Sequence, residues 1–521
     1  MKKIFFIPLF FSLFTAANAQ RLSQKKLSDT LMLENIEVTS IRAADKAPFT
    51  KTNLSKQQIE KVNLGQDLPF ILNNTPSVVV NSDAGNGVGY TGIRIRGSDA
   101  TRINVTLNGI PYNDAESQGV FFVNMPDISS SLNSIQVQRG VGTSSNGAGA
   151  FGATINLSTN EVNKDKYMEI NNSYGSFNTW KNTIKAGSGL LGNHFVLDGR
   201  FSRITSDGFI DRGWSDLNSY LVSGAYIDEK SSLRFNLIGG KEKTYQSWGG
   251  VPEDMLKINR RYNAGGMEKP GEPYDNETDN YNQTHSQVFY NRKMNSFFAF
   301  SAAVYLTRGK GYYETYKAGQ KYSKYGLPNV VIGGETIKKT DIIRQKWLDN
   351  YLYGTILSLQ YKRNKTDLTF GGGWNQYVGG HHGIIKWAEK GGVPLDYHYY
   401  DNPATKNDLN SYAKLMQSLG NGFTGFLDAQ VRFLKYDING FSDNPSIHLK
   451  KNYIFFNPKA GISYNKQNYQ VYMSLSVASH EPNRDDYESG AAQVPSPEKL
   501  FDWELGFERK DSKINYSATF Y

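Results

Sequence analysis

The sequence predicts a mostly β protein in which a small mixed α/β domain precedes a transmembrane antiparallel β-barrel. Two patterns after residue 160 carry this prediction: strands alternate strictly between apolar and polar residues, and their connections alternate between short and long. Barrels in lipid show both patterns, because one face of each strand meets lipid and the two rims of the barrel differ. An export signal at the start of the chain is the third observation.

Residues 1–19 have the features of a secretory signal peptide. Lys2 and Lys3 precede an apolar stretch from Ile4 to Phe14, and Ala17 to Ala19 supplies an A-x-A cleavage site. A membrane anchor needs about 20 apolar residues, which is more than this stretch offers. We therefore predict export, with cleavage after Ala19.

The composition excludes several classes of site. The chain has no cysteine, which excludes disulfides, thiolate zinc sites and cysteine nucleophiles. The formal net charge is +9, but the basic residues are scattered, so we predict no nucleic-acid partner. A solvated surface explains the charge, and collection of anionic ligands or contact with anionic lipid headgroups remains an alternative. The mean hydropathy of −0.53 is compatible with a barrel, whose strands are apolar on one face only.

Motifs of enzymes and cofactor sites are missing or lack their context. G-x-G-x-x-G matches occur at residues 87–92, 147–152 and 187–192. A dinucleotide site needs a following helix, whereas the first two run into predicted strands and the third forms a hairpin turn. The sequence has no P-loop, G-x-S-x-G or H-E-x-x-H motif. We therefore predict that the protein is not an enzyme and holds no cofactor.

Residues 45–160 predict the mixed α/β domain. Ser55 lies three residues before Gln58, the spacing of a capping box that opens a short helix. The segment from Asp67 to Leu72 predicts a second helix. Residues 78–80 are three valines, which predict a strand leading into a turn-rich stretch.

The most specific motifs lie between residues 93 and 159. They are IRG at Ile95 to Gly97, LNGIP at Leu107 to Pro111, and QRGVGTSSNGAGAFGATIN at Gln138 to Asn156. Through these motifs residues 45–160 resemble the plug domain of TonB-dependent outer-membrane receptors.

The resemblance implies a plug inside a 22-stranded barrel in the outer membrane of a Gram-negative bacterium. It implies active import of a scarce, large ligand by a barrel monomer, with TonB, ExbB and ExbD as energising partners. A ferric siderophore or other iron chelate is the ligand class that the family favours. A vitamin such as cobalamin or an oligosaccharide is an alternative, and so is a non-transporting adhesin or phage receptor on the same barrel.

Residues 20–44 are polar except for one alternating segment at residues 33–39. Its position after the signal peptide resembles that of the TonB box, which pairs with TonB as an added strand. An ordinary first strand of the plug is the alternative. The residues assigned to the box are Glu34, Asn35, Ile36, Glu37, Val38 and Thr39.

Residues 161–521 predict about 15 barrel strands. Connections at residues 228–230, 293–295, 364–366 and 466–468 are tight, whereas those at 242–284, 311–344 and 379–407 are long. Short periplasmic turns and long extracellular loops produce this asymmetry. Because the family closes at 22 strands, we expect roughly seven strands to be missing. The alternative is that residues 514–521 form a true terminal strand.

Arginines of the plug and carboxylates of the barrel predict an interface. Alternation over residues 501–508 turns three carboxylates toward the lumen, where bidentate pairs with arginine are strong if desolvated. By resemblance, Arg96 and Arg139 match plug arginines that lock onto barrel glutamates such as Glu504. We hypothesise that these pairs seat the plug until TonB pulls, with fixed scaffolding bridges as the alternative. The predicted partners are Arg94, Arg96, Arg102 and Arg139 in the plug and Asp502, Glu504 and Glu508 in the barrel.

Ligand contacts are predicted in two plug loops and one barrel loop. Residues 82–91 and 112–119 match the apical loops that face the ligand in the family, although turn chemistry alone also explains their composition. Two adjacent histidines lie in a predicted barrel loop, and neighbours on an extended chain point to opposite sides, so we predict no shared metal site. The candidate ligand-contact residues are Tyr90, Tyr112, Asn113, Asp114, Glu116, Gln118, His381 and His382.

Overall fold

A computed structural model describes residues 42–44, 47–147, 149–488, 494–511 and 514–521. The predicted signal peptide at residues 1–19 and the predicted TonB box at residues 33–39 lie outside the described residues. Within the described ranges, no helix has the length and apolar character needed to cross a membrane.

The N-terminal domain is built on a five-stranded sheet of order β1-β6-β7-β4-β5, beside a separate β2-β3 hairpin. Strand β4 runs parallel to β7, and the other pairs are antiparallel. The strands are β1 (Lys51–Ser55), β2 (Val78–Ser82), β3 (Thr91–Ile95), β4 (Ile103–Leu107), β5 (Ile110–Pro111), β6 (Ser134–Arg139) and β7 (Ala153–Ser158). The helices are α1 (Lys56–Val62) and α2 (Leu68–Ile71), with 3₁₀ turns at Ala100–Arg102, Phe122–Asn124, Ile128–Ser131 and Ser144–Asn146.

Local signals in the sequence set the helices of this domain. Ser55 caps α1 as predicted: its hydroxyl accepts from the Gln58 amide at 3.4 Å, and the Gln58 side chain accepts from the Ser55 amide at 2.9 Å. The two predicted helices and the predicted strand at residues 78–80 are confirmed. Alternate residues of β4, β6 and β7, among them Val105 and Ile155, form the core, which also packs on Leu221 of the barrel.

The rest of the chain forms a 15-stranded antiparallel sheet in which sequential strands pair. A short hairpin, β15 (Val330–Ile332) with β16 (Glu335–Ile337), stands apart from it. The connections also contain α3 (Arg484–Glu488) and 3₁₀ turns at Met255–Lys257 and Tyr322–Tyr325. The sheet strands are β8 (Tyr167–Gly175), β9 (Thr179–Gly187), β10 (Phe195–Ser206), β11 (Ser215–Ile227), β12 (Ser231–Tyr245), β13 (Thr278–Lys293), β14 (Phe298–Lys321), β17 (Lys339–Arg363), β18 (Thr366–Ala388), β19 (His398–Gly420), β20 (Phe423–Asn439), β21 (His448–Lys466), β22 (Tyr469–His480), β23 (Glu498–Lys510) and β24 (Asn515–Phe520).

The sheet is apolar outside and polar inside. In β20, for example, Leu427 and Phe433 are exposed, whereas the intervening Asp428 and Arg432 are buried. This inversion of the usual burial rule suits an outer face in contact with lipid. The N-terminal domain lies inside the curve of the sheet, because its turn at residues 122–124 contacts β12 and β13 and its turn at 144–146 contacts β19 and β20.

Several strands are longer than predicted. Strands β14, β17, β18 and β19 have 24, 25, 23 and 23 residues, and the connections between them shrink to residues 322–338 and 389–397. The prediction that His381 and His382 are loop residues is therefore wrong: both lie in β18. The strand ends carry glycine, aromatic and polar residues on both faces, so they lack the alternation by which a lipid-facing strand is recognised.

Candidate functional site

A cavity of about 620 Å³ lies between the plug and the barrel at the end that carries the long connections. Plug loops form part of its lining, and strands β12–β14 and β17–β19 with residues 248, 441–442 and 484–488 form the rest. Its aromatic lining includes Tyr90, Tyr112, Trp248, Tyr312, Tyr313 and Trp347. Its acidic lining consists of Asp83, Asp114, Glu116, Glu242, Asp279, Asp485 and Glu488. A cavity of this size suits a ligand of drug-like dimensions.

The plug loop at residues 112–119 is shaped by its own side chains. Asp114 accepts from the amides of Glu116 at 3.0 Å and Ser117 at 2.8 Å, and burial raises the pKa of this carboxyl. The Asn113 side chain accepts one hydrogen bond from the backbone of β4 and donates another to it, at 2.8 Å to the Ile103 carbonyl. Gln118 donates to the Glu481 carbonyl at 3.1 Å. Asn113 and Gln118 therefore hold the loop and do not line the cavity.

Glu116 is the centre of a buried network between the plug and the barrel. One carboxylate oxygen accepts from the Tyr377 hydroxyl at 2.8 Å and contacts His381 Nε2 at 2.6 Å. The other accepts from the Tyr436 hydroxyl at 3.0 Å and from Arg484 Nη1 at 2.8 Å. Burial opposes ionisation, but His381 and Arg484 outweigh it and hold the pKa of Glu116 well below its usual range. The carboxylate thus stays charged and fully partnered.

The two neighbouring histidines face opposite ways, as their places on an extended chain dictate. His381 reaches Glu116, whereas the ring of His382 stacks between Trp347 at 5.7 Å and His398 at 4.6 Å between centroids. His381 lines the cavity and His382 does not. Across the described ranges, no group of three histidine, aspartate or glutamate side chains is arranged to hold a metal ion.

Tyr90 stands against the opposite wall of the cavity. Its hydroxyl donates to Asp279, and its ring packs on Trp248 at 5.3 Å and Phe121 at 6.3 Å between centroids. Asp83 lies with Tyr90 in the loop between β2 and β3, and burial raises its pKa to about 6. Of the predicted ligand contacts, five line the cavity, namely Tyr90, Tyr112, Asp114, Glu116 and His381.

One predicted pair between plug and barrel is present. Arg96 forms an ion pair with Glu504, and Thr50 bridges them by accepting from Arg96 at 3.2 Å and donating to Glu504 at 3.0 Å. The guanidinium also lies 4.0 Å from the ring centroid of Tyr521. Arg102 pairs with Glu498, which was not predicted, and with Asp99 at 2.7 Å. Glu498 lies on the same face of β23 as Asp502 and Glu504. The alternation that predicted those two carboxylates therefore also predicts Glu498, if it is followed back to the start of the strand.

The other predicted members of this interface depart from the prediction. Within the described part of the chain, Arg139 makes no ion pair and donates instead to Thr52 at 3.0 Å and to the Pro76 carbonyl at 3.3 Å. Arg94 is exposed on β3. In the barrel, Asp502 accepts from the Val141 amide at 3.2 Å. Glu508 pairs at 3.1 Å with its neighbour Lys510.

A further buried cluster of charged side chains joins the plug to strands β9 and β10 of the barrel. Asp127 lies 2.9 Å from Lys181 and 3.7 Å from Arg200, and it accepts from Thr183 and Ser202 at 2.6 and 2.7 Å. Although burial disfavours the charge, Lys181 and Arg200 lower the pKa of Asp127 to about 2. Sequence reasoning missed this site, since a single aspartate in a turn carries no motif.

Residues 43–154 match the family model of the TonB-dependent receptor plug domain. The chain carries a TonB-dependent receptor plug domain. The receptor is similar in structure to the unliganded ferric citrate transporter FecA, with 16% identity, a TM-score of 0.71, and coverage of 91% of this chain and 69% of that one. At such identities the likeness shows the fold alone.

Two further structures show the same fold. For the siderophore receptor PiuA from Acinetobacter baumannii the identity is 13% and the TM-score 0.68, over 92% of this chain and 73% of that one. For the copper transporter OprC the identity is 13% and the TM-score 0.69, over 90% and 71%. No curated protein matches the receptor in sequence.

Proposed function

We propose that the receptor is an active transporter that imports a ligand from the cavity across the outer membrane. The observation that supports this function is that the cavity is walled jointly by plug and barrel, with the plug inside the curve of the sheet. A ligand held there advances only if the plug moves, and movement breaks buried pairs such as Arg96 with Glu504. Such work requires an energy source, for which TonB with ExbB and ExbD is the proposed one.

The proposed ligand is an iron chelate of the siderophore type. The printed names of similar structures refer to ferric citrate, ferric catecholate and siderophore receptors, and one refers to copper. A cavity of about 620 Å³ is large enough for a small chelate, and its aromatic walls suit an organic shell around the metal.

The proposed location is the outer membrane, reached through the signal peptide at residues 1–19. The exposed apolar residues on the outer face of the sheet support contact with lipid. The proposed docking segment for TonB is the box at residues 33–39, which would add a strand to its partner.

Deletion of residues 33–39 from the full chain tests the proposal. We would measure uptake of radioactive iron from ferric citrate, a ferric catecholate and ferrioxamine B in a Gram-negative host lacking its own receptors. Uptake of at least one chelate should require the intact box, while the amount of receptor at the cell surface stays unchanged. Uptake that survives the deletion would refute the role of TonB. If the intact receptor imports none of the three chelates, the proposed iron-chelate class is refuted.

A further inference from the structure

One wall of the cavity is acidic, and its carboxylates are not paired with cations. Asp83 of the plug, Glu242 of β12 and Asp279 of β13 line this wall, around the hydroxyl of Tyr90. We call these three carboxylates the acidic wall. Among the residues that the structure describes, no lysine, arginine or histidine forms an ion pair with any of them.

The basic side chains that line the cavity are engaged elsewhere. Arg484 and His381 both bind Glu116, across the cavity from the acidic wall. Lys346 donates to Ser442 at 3.2 Å. None of these three side chains pairs with a carboxylate of the acidic wall, so the wall is open to a cationic group of a ligand.

Glu242 lacks a hydrogen-bond donor in this arrangement. Glu242 is 1% exposed, and its Oε2 atom is buried without a hydrogen-bond partner. Its Oε1 atom lies 3.5 Å from the Tyr90 hydroxyl, but that hydroxyl has one proton and donates it to Asp279. A buried carboxyl oxygen without a hydrogen-bond partner is costly, and a ligand group that donates a hydrogen bond to it would relieve that cost.

Aromatic rings stand beside the acidic wall. Trp248 lies 5.3 Å from Tyr90 and 5.7 Å from Tyr313 between centroids, and all three rings line the cavity. Ring faces attract organic cations, and ammonium groups bound between aromatic rings and carboxylates use both effects. A bare metal ion fits less well, because the described residues offer no group of three ligands for it.

We infer that the acidic wall binds a protonated amine of the imported ligand. The ligand class is therefore a chelate or similar organic molecule that carries an ammonium group, in contrast to a polycarboxylate. The inference rests on the proposed function in one respect: it takes the cavity as the ligand site.

Three fluorescent probes that differ in charge test this inference on the purified receptor in detergent. Dansylcadaverine carries an ammonium group, dansylamide is uncharged and dansylglycine carries a carboxylate, while the fluorophore is the same. We expect dansylcadaverine to bind about tenfold or more tightly than dansylamide, the ratio that one charge-assisted hydrogen bond supplies. Dansylglycine should bind most weakly.

The double variant Glu242→Gln, Asp279→Asn should abolish the preference for the ammonium probe and leave binding of dansylamide unchanged. Glu314→Gln is the matched control, because Glu314 is a buried barrel glutamate outside the cavity lining, with donors from Tyr274 and Gln345. It should keep the preference. Equal binding of all three probes, tighter binding of dansylglycine, or a preference that persists in the double variant would overturn the inference.

These outcomes separate the inference from the proposed function. The binding measurement needs no TonB, so a receptor that imports iron in a box-dependent manner yet prefers the anionic probe would refute the inference alone. Conversely, an ammonium preference in a receptor whose uptake ignores the box would refute TonB-dependent import alone.

Discussion

Arg96 in the plug and Glu504 in the barrel form an ion pair although they are 408 residues apart in the sequence. The two side chains are 6% and 2% exposed, so each charge depends on the other for its compensation. Removing one partner of a buried pair typically costs about 3–5 kcal/mol, whereas the pair as a whole contributes much less. We therefore expect the pair to act as a latch, which holds one relative position of plug and barrel and opposes any other.

Charge reversal at Arg96 should loosen the plug. In Arg96→Glu two carboxylates face each other at a buried site, and we expect passive leakage of a large antibiotic such as vancomycin to rise several-fold. The measurement is the minimal inhibitory concentration in cells that express the variant. Arg94→Glu is the control, since Arg94 is exposed on the same stretch of chain. Unchanged leakage in Arg96→Glu, or no rescue by the added change Glu504→Arg, would contradict a role in seating.

Arg139 is predicted from the sequence to pair with the barrel as well, but among the described residues it makes no ion pair. Its guanidinium binds Thr52 and the Pro76 carbonyl within the plug, so Arg139→Glu should lower the stability of the plug itself. We expect Glu504→Arg to give no rescue of Arg139→Glu, in contrast to Arg96→Glu. Antibiotic sensitivity is measured for both double variants, in which Glu504→Arg is added to Arg96→Glu or to Arg139→Glu. Rescue of Arg139→Glu by Glu504→Arg would contradict a role of Arg139 within the plug alone.

Gly140 beside Arg139 should be sensitive to any side chain. Its φ of +75° favours glycine, and a Cβ atom would collide with the carboxylates of Asp502 and Glu504. Gly140→Val should therefore displace the barrel side of the latch and raise leakage as much as Arg96→Glu does. Gly97→Val is a matched control, because its φ is similar at +79° but its Cβ would meet nothing within 4 Å. Equal leakage in the two variants would indicate backbone strain in place of a collision.

The sequence predicted the architecture better than the site. Alternation revealed the barrel because lipid forces one face of every spanning strand to be apolar, and the capping box revealed α1 because its hydrogen bonds are local. Contacts such as Glu116 with Arg484 join distant segments of the chain, and no local pattern encodes them. Likewise, the sequence predicts His381 in a loop, because the end of the strand that carries it lacks the apolar–polar alternation of a lipid-facing segment.

Asp127 should make the attachment of the plug sensitive to acid. Its pKa falls from 3.8 to about 2 in the folded state, so its contribution to stability is present above pH 4 and is lost as the pH falls toward 2. A shift of this size corresponds to roughly 2 kcal/mol. Thermal unfolding of the detergent-solubilised receptor between pH 5 and 2 should show this loss, and Asp127→Asn should show less of it. Asp216→Asn, which removes an exposed carboxylate of the outer face, should behave as the parent.

Glu116 should determine how firmly the connection at residues 481–488 is held against the plug. Arg484 donates to Glu116 twice, from its side chain at 2.8 Å and from its backbone amide to the Glu116 carbonyl at 2.9 Å. Glu116→Gln removes the charge that compensates Arg484, and charge-assisted bonds contribute about 1.5–3 kcal/mol. We therefore expect hydrogen exchange at residues 481–488 to accelerate by about tenfold or more, as measured by mass spectrometry. Asp485→Asn, on the same short helix but without a bond to the plug, should leave exchange unchanged. If both variants exchange at the rate of the parent, Glu116 does not couple the plug to this connection.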